Sequence, residues 1–110
     1  MMTFETFKGK DNKYYFQLVA ESGKILLLSK GYGEKETIVP EIESLRSNFI
    51  SDNSIEKKAT YSGLHFFNIK GSNGLVKVSS TVFDTPQIMG RWLWKIKKEV
   101  SETKIMETIR

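Results

Sequence analysis

The residues best equipped for chemistry in this sequence crowd into one short stretch, where Arg91, Trp92, Trp94, Lys95, Lys97 and Lys98 fall within eight positions. Guanidinium and ammonium groups neutralise phosphates, and an indole stacks on an unpaired base. The same residue types also dominate the energetic centres of protein interfaces. The bland alternative is that Trp94 packs locally against the Lys98 stem or the C-terminal tail. Catalysis has weaker support. His65 is the only histidine, and a general base needs a group to orient it. Ser29 and Ser80 would be nucleophiles only beside such a base. Their hydroxyls are expected to bond backbone groups at strand ends instead. Gly31-Tyr32-Gly33 is too short for a phosphate loop, and no carboxylate pair or nucleophile elbow is present. With no cysteine and one histidine, the ligand set for a metal is too small. No cofactor, metal or catalytic residue is expected.

A helix must carry the basic, Trp-bearing stretch. Asp84-Thr85-Pro86 supplies a capping residue and then a proline in the first turn, which predicts a helix from Pro86 to about Val100. Met89, Leu93, Ile96 and Val100 form one apolar stripe along it. Projection at 100° per residue puts Trp92 at the stripe's edge, half buried, and Trp94 about 130° from its centre beside Arg91 and Lys98. An earlier helix carries Ile38, Ile42, Leu45 and Phe49 in the same spacing. Pro40 is tolerated only in a first turn, so this helix is expected to start near Val39 or Pro40 and to end near Ile50.

The two helices belong to a larger pattern, because the chain repeats itself at a spacing of 51 residues. Phe16 recurs as Phe67, Leu18 as Ile69, Gly23 as Gly74, Ser29 as Ser80 and Tyr32 as Phe83. In the helices Ile42, Leu45 and Phe49 recur as Leu93, Ile96 and Val100. Each copy reads as strand, strand, strand, helix. Strands are predicted at Thr3–Lys8, Tyr14–Ala20 and Ile25–Ser29, then at Lys57–Ser62, Leu64–Lys70 and Leu75–Ser80. Gly23 turns the first hairpin, and Asn73-Gly74 predicts a primed turn in the second. The expected architecture is a single α+β domain over residues 1–110. It is made of two tandem β-β-β-α repeats (3–50 and 60–100), a polar joint (51–59) and a tail (101–110). An antiparallel sheet carries both helices on one face.

Composition agrees with this and excludes several classes. The 110 residues are 39% apolar and 27% charged, which suits a folded globular domain. The absence of cysteine excludes disulfides and thiol chemistry and fits a reducing cytoplasm. No apolar run is long enough for a membrane span, and the start lacks the pattern of a signal peptide. The formal charge of +4 is uneven, with −1 in residues 1–55 and +5 in residues 56–110. A basic second half can attract phosphate-bearing partners, although a charge of this size is also ordinary for solubility.

The copies also differ. Leu26 and Leu28 align with Lys77 and Ser79, which places an extra apolar pair on the sheet face opposite Ile25 and Leu27. An oligomer contact or cover by Ile105, Met106 and Ile109 of the tail would account for it. Glu41 and Glu43 align with Trp92 and Trp94, so the basic aromatic face is specific to the second copy.

The order of a strand, then Gly, Ser and an aromatic, then a helix with a spaced aliphatic pair occurs twice. It is carried by Gly23, Ser29, Tyr32, Ile42 and Leu45, and again by Gly74, Ser80, Phe83, Leu93 and Ile96. From about Phe4 to Val100 this pattern resembles the YegP-like family of small, mostly bacterial proteins. That resemblance implies tandem β-β-β-α repeats and frequent self-association, and it transfers no catalytic residue. Phe83 departs from the family's tyrosine. The expected function is a non-enzymatic binding or interaction module acting through self-association or a protein partner. Its candidate surface is Arg91, Trp94, Lys95, Lys98, Leu26 and Leu28. The alternative is weak, sequence-tolerant nucleic-acid binding through the second helix.

Overall fold

In a computed structural model describing residues 1–48 and 52–108, β1 (Thr3–Lys8), β2 (Tyr14–Val19) and β3 (Ile25–Ser29) are followed by α1 (Ile38–Asn48). The order then repeats with β4 (Ile55–Ala59), β5 (His65–Lys70), β6 (Val76–Ser80) and α2 (Pro86–Glu99), and the chain closes with β7 (Lys104–Glu107). Among the described residues the strands form one sheet in the order β4-β5-β6-β3-β2-β1-β7. All neighbours are antiparallel except β1 and β7. The fold is α+β, with both helices on one face. None of its described helices is long and apolar enough to cross a membrane.

Apolar alternation explains the layering. Phe4, Phe16, Leu18, Phe67, Ile69 and Val78 point to the helix side, where they meet Ile42, Leu45, Leu93 and Ile96 in one continuous core. The expected stripe residue Phe49 and the expected helix end near Ile50 lie outside the described residues, as does Ile109. The first helix starts at Ile38 after a single 3-10 turn (Lys35–Thr37), slightly earlier than expected. Pro40 still falls in its first turn, where its missing N–H costs nothing. The fourth strand lies at Ile55–Ala59 and not at the expected Lys57–Ser62, so it falls inside the stretch expected as a joint. Ile55 pairs with Ile69 and packs on the core, while residues 60–63 form the turn.

The two halves meet at the β3–β6 pair, where Leu27, Leu28 and Ser29 face Ser80, Ser79 and Val78. Shifting any of these numbers by 51 returns the same pairs, so the register is symmetric about Leu28 and Ser79. Backbone contacts follow that symmetry. Lys30 N–H donates to the Lys77 carbonyl and Thr81 N–H to the Leu26 carbonyl, each at 2.9 Å. Bridges join Tyr14 to Tyr32 and His65 to Phe83. Gly23 and Gly74 take φ of +93° and +80°, which only glycine adopts without strain.

Three expectations are corrected here. The Asn73-Gly74 turn is not a primed two-residue turn. Gly71 N–H reaches the Leu75 carbonyl and Gly74 N–H the Gly71 carbonyl, and only Gly74 has positive φ. Beyond each turn one strand carries an extra residue. Val19 pairs with Ile25 but Leu18 with Leu27, and Lys70 pairs with Val76 but Ile69 with Val78. These bulges reverse the alternation. Leu26 therefore joins the core at 0% exposure, and Ile25 faces out beside the sheet's open side. Finally, the described part of the tail does not cover Leu28. It adds β7 alongside β1, three strands away from β3, with Ile105 half-buried against the core.

Candidate interaction surface

Thr85 caps α2, its Oγ1 accepting from Ile88 N–H at 3.1 Å, and Pro86 opens the first turn. Met89, Leu93, Ile96 and Val100 are buried, which turns Arg91, Trp94, Lys95 and Lys98 to solvent. These four candidates do form one surface. The Trp94 side chain is 64% exposed, with the Lys98 ammonium 5.0 Å from its ring centre. Trp92, half-buried, packs on the core and lies under Lys24 at 5.8 Å and Lys95 at 5.4 Å. Lys24 also sits 5.3 Å from the Phe83 ring.

The other candidates separate. Leu26 is in the core, whereas Leu28 is 44% exposed at the middle of the open sheet face. Its cross-strand neighbours, Gln17 and Ser79, are polar and belong to hydrogen-bonded pairs. Gln17 donates to Glu5 at 3.1 Å, Asn68 donates to Glu56 at 3.4 Å, and Ser79 donates to Asn68 at 2.7 Å. Hydrogen bonds from Lys70 and Asn68 hold the Glu56 carboxyl below its ordinary range.

The residues considered for catalysis have structural work. Ser29 Oγ accepts from Phe16 N–H at 2.9 Å and donates to the Lys30 carbonyl at 2.8 Å. Ser80 Oγ does the same with Phe67 N–H at 2.9 Å and the Thr81 carbonyl at 2.7 Å. Each hydroxyl proton is committed to a carbonyl at the end of its strand. His65 lies on β5, paired with Ala59 of the edge strand β4. Among the described residues, no three His, Cys, Asp or Glu side chains come together around a common point.

A second region escaped sequence reasoning. Beneath α1 a cleft of about 590 Å³ opens between the helix and β6, with Phe16, Leu45, Ile69 and Val78 as its apolar wall. Tyr32, Glu41 and Lys77 give it polar groups. Lys77 Nζ donates to Glu41 Oε2 at 3.0 Å. The Tyr32 side chain is 8% exposed, its hydroxyl is fully buried, and it has no hydrogen-bond partner of normal geometry. Burial, and then the nearby Glu41 carboxylate, push the phenol up to about 12. The clue in the sequence is that all three polar residues differ from their counterparts 51 positions away, which are Phe83, Trp92 and Leu26. Only the bulge places Lys77 on the helix side to meet Glu41.

Comparison with known proteins agrees with this architecture. Residues 10–56 match the model of a "Domain of unknown function (DUF1508)". The UPF0339 protein YegP of Escherichia coli (strain K12) is 36% identical over 84 residues, 76% of each chain. A UPF0339 protein in the ptx operon 5' region of Stutzerimonas stutzeri is 28% identical over 105 residues, 96% of this chain and 95% of that one. The solution NMR structure of E. coli yegP superposes with a TM-score of 0.88 at 29% identity, covering 98% of this chain and 93% of that one. Sequence, extent and fold together place this chain in the UPF0339, or YegP-like, family of bacterial proteins, a family of unknown function.

Proposed function

We propose that this chain is a non-enzymatic, cytoplasmic binding module whose docking face is the solvent side of α2. The observation that carries this reading is Trp94, a large apolar side chain left 64% exposed among Arg91, Lys95 and Lys98. An aromatic anchor ringed by cations suits a protein surface that offers acidic side chains around an apolar pocket. Two copies docking through this face would oppose like charges. Self-association therefore goes through the open sheet, where Leu28 is exposed at the symmetric centre. A photo-crosslinking residue at position 94, in the native host, tests the docking face. The expected result is one discrete protein adduct that is lost with Arg91→Glu and Lys95→Glu and absent when the probe sits at the exposed Tyr61. No adduct at 94, or an identical pattern at 61, contradicts the reading.

Nucleic acid is the second reading, favoured by the Lys98 ammonium held over the Trp94 ring, an arrangement that suits a phosphate beside a stacked base. It predicts binding of a single-stranded oligonucleotide that weakens steeply with salt and is abolished by Trp94→Ala with Lys98→Ala. No binding at low salt excludes it. Light scattering decides self-association. A monomer at all concentrations, together with an unchanged Leu28→Ser variant, rules it out.

A further inference from the structure

The cleft beneath α1 is the place where this fold leaves polar capacity unspent. Its counterpart beneath α2 is filled. Phe83, Leu26 and Ala20 are buried there, and Trp92 and Ile105 pack against them. In the α1 half the equivalent positions are Tyr32, Lys77, Gly71, Glu41 and Ser54, and all five line the open cleft. The same fold thus accepts an apolar filling at this place, so folding does not require the polar one.

The polar groups specify what would complement them. The Tyr32 hydroxyl is a donor, because a phenol keeps its proton at neutral pH and burial only strengthens that hold. Its buried oxygen has no partner of normal geometry, the Glu41 carboxylate being near but poorly placed to accept from it, and an unmade hydrogen bond at such a site is costly. Lys77 has three N–H donors, of which the Glu41 contact uses one. Glu41 is the only carboxylate among the described lining residues, and Lys77 neutralises it. The unmet demand is therefore for an acceptor, and the strongest small acceptor group is a carboxylate. The wall of Phe16, Leu45, Ile69 and Val78 calls for an apolar body behind it.

We propose that the cleft between α1 and β6 binds a small organic carboxylate, its carboxylate accepting from Tyr32 and Lys77 and its apolar body resting on Phe16, Leu45, Ile69 and Val78. This site is separate from the α2 face and stands or falls independently of it. Hexanoate, 3-phenylpropionate and indole-3-acetate, each beside its own amide, are the probes for a titration of the full chain followed by amide chemical shifts. The expected result is saturable shifts at Tyr32, Ser72 and Lys77 for at least one acid. Its amide binds more weakly, and Tyr32→Phe or Lys77→Met weakens the acid about tenfold, the loss of one charge-assisted hydrogen bond. Phe83 shows that the fold accepts phenylalanine at the position of Tyr32, so the first variant reports binding and not folding. No saturable shift with any of the three acids overturns the proposal. So does equal binding of acid and amide, or binding indifferent to both variants.

Discussion

Beneath α2 the space between helix and sheet is packed with Leu26, Phe83 and Trp92, whereas beneath α1 the equivalent positions hold Lys77, Tyr32 and Glu41 around a cleft. The backbone in the two halves is the same in kind. Both have a bulge after the second strand, a serine bonded across to a buried phenylalanine at the third position of that strand, and a turn closed by a left-handed glycine. Shared contacts build the fold, and the differing side chains decide whether the space is core or site. One half supplies stability where the other gives it up.

The contrast can be broken experimentally, starting where the effect is largest. Leu26→Ala removes a side chain at 0% exposure and should cost about 3 kcal/mol in urea unfolding. Ser29→Ala and Ser80→Ala each strand a backbone donor and a carbonyl and should cost about 1–2 kcal/mol apiece, nearly equally. A large inequality would separate two sites that share one hydrogen-bond pattern and differ only in that Ser29 is the more buried. Tyr32→Phe deletes a buried hydroxyl without a partner of normal geometry and should raise stability by about 1 kcal/mol at neutral pH. The same variant has an alkaline signature. The folded phenol titrates at about 12, above its ordinary value of 10.0. Folding stability therefore does not depend on this group's titration below 10.0, and it falls as pH climbs from there through about 12, because the unfolded chain ionises first. Unfolding of the parent chain and of Tyr32→Phe, measured at pH 9 and near pH 12, should show the phenylalanine variant losing less. Smallest of all, Trp94→Ala should leave stability within about 0.5 kcal/mol of the parent, because its side chain faces solvent.

Much of this was legible in the residues. The bounds of β1 and of β3, the strand returning from the Gly23 hairpin, were read to the residue, and the cap at Thr85–Pro86 with the stripe from Met89 to Val100 identified α2. Helical projection put Trp94 outside and Trp92 at the core's edge, because side-chain direction on a helix depends on spacing alone. Leu26 was misplaced because strand alternation assumes no inserted residue, and a bulge depends on the pairing partner, not on local sequence. The tail strand was not foreseen either. Lys104–Glu107 is too short and mixed to read as a strand until β1 offers it an edge. The cleft stayed hidden for a related reason. Glu41 and Lys77 lie far apart in the chain, and they meet only because β3 and β6 pair across the centre of the sheet.

The central claim is that the same fold is closed on one side and open on the other, and a reciprocal exchange tests it most directly. Urea unfolding of Leu26→Lys should show a loss of several kcal/mol, since an ammonium there is buried without a carboxylate. Lys77→Leu should fall within about 1 kcal/mol of the parent, because the leucine enters open space against an apolar wall and gives up only a partly exposed ion pair. Equal losses in the two variants would mean that both sides are packed alike, and the account would be wrong.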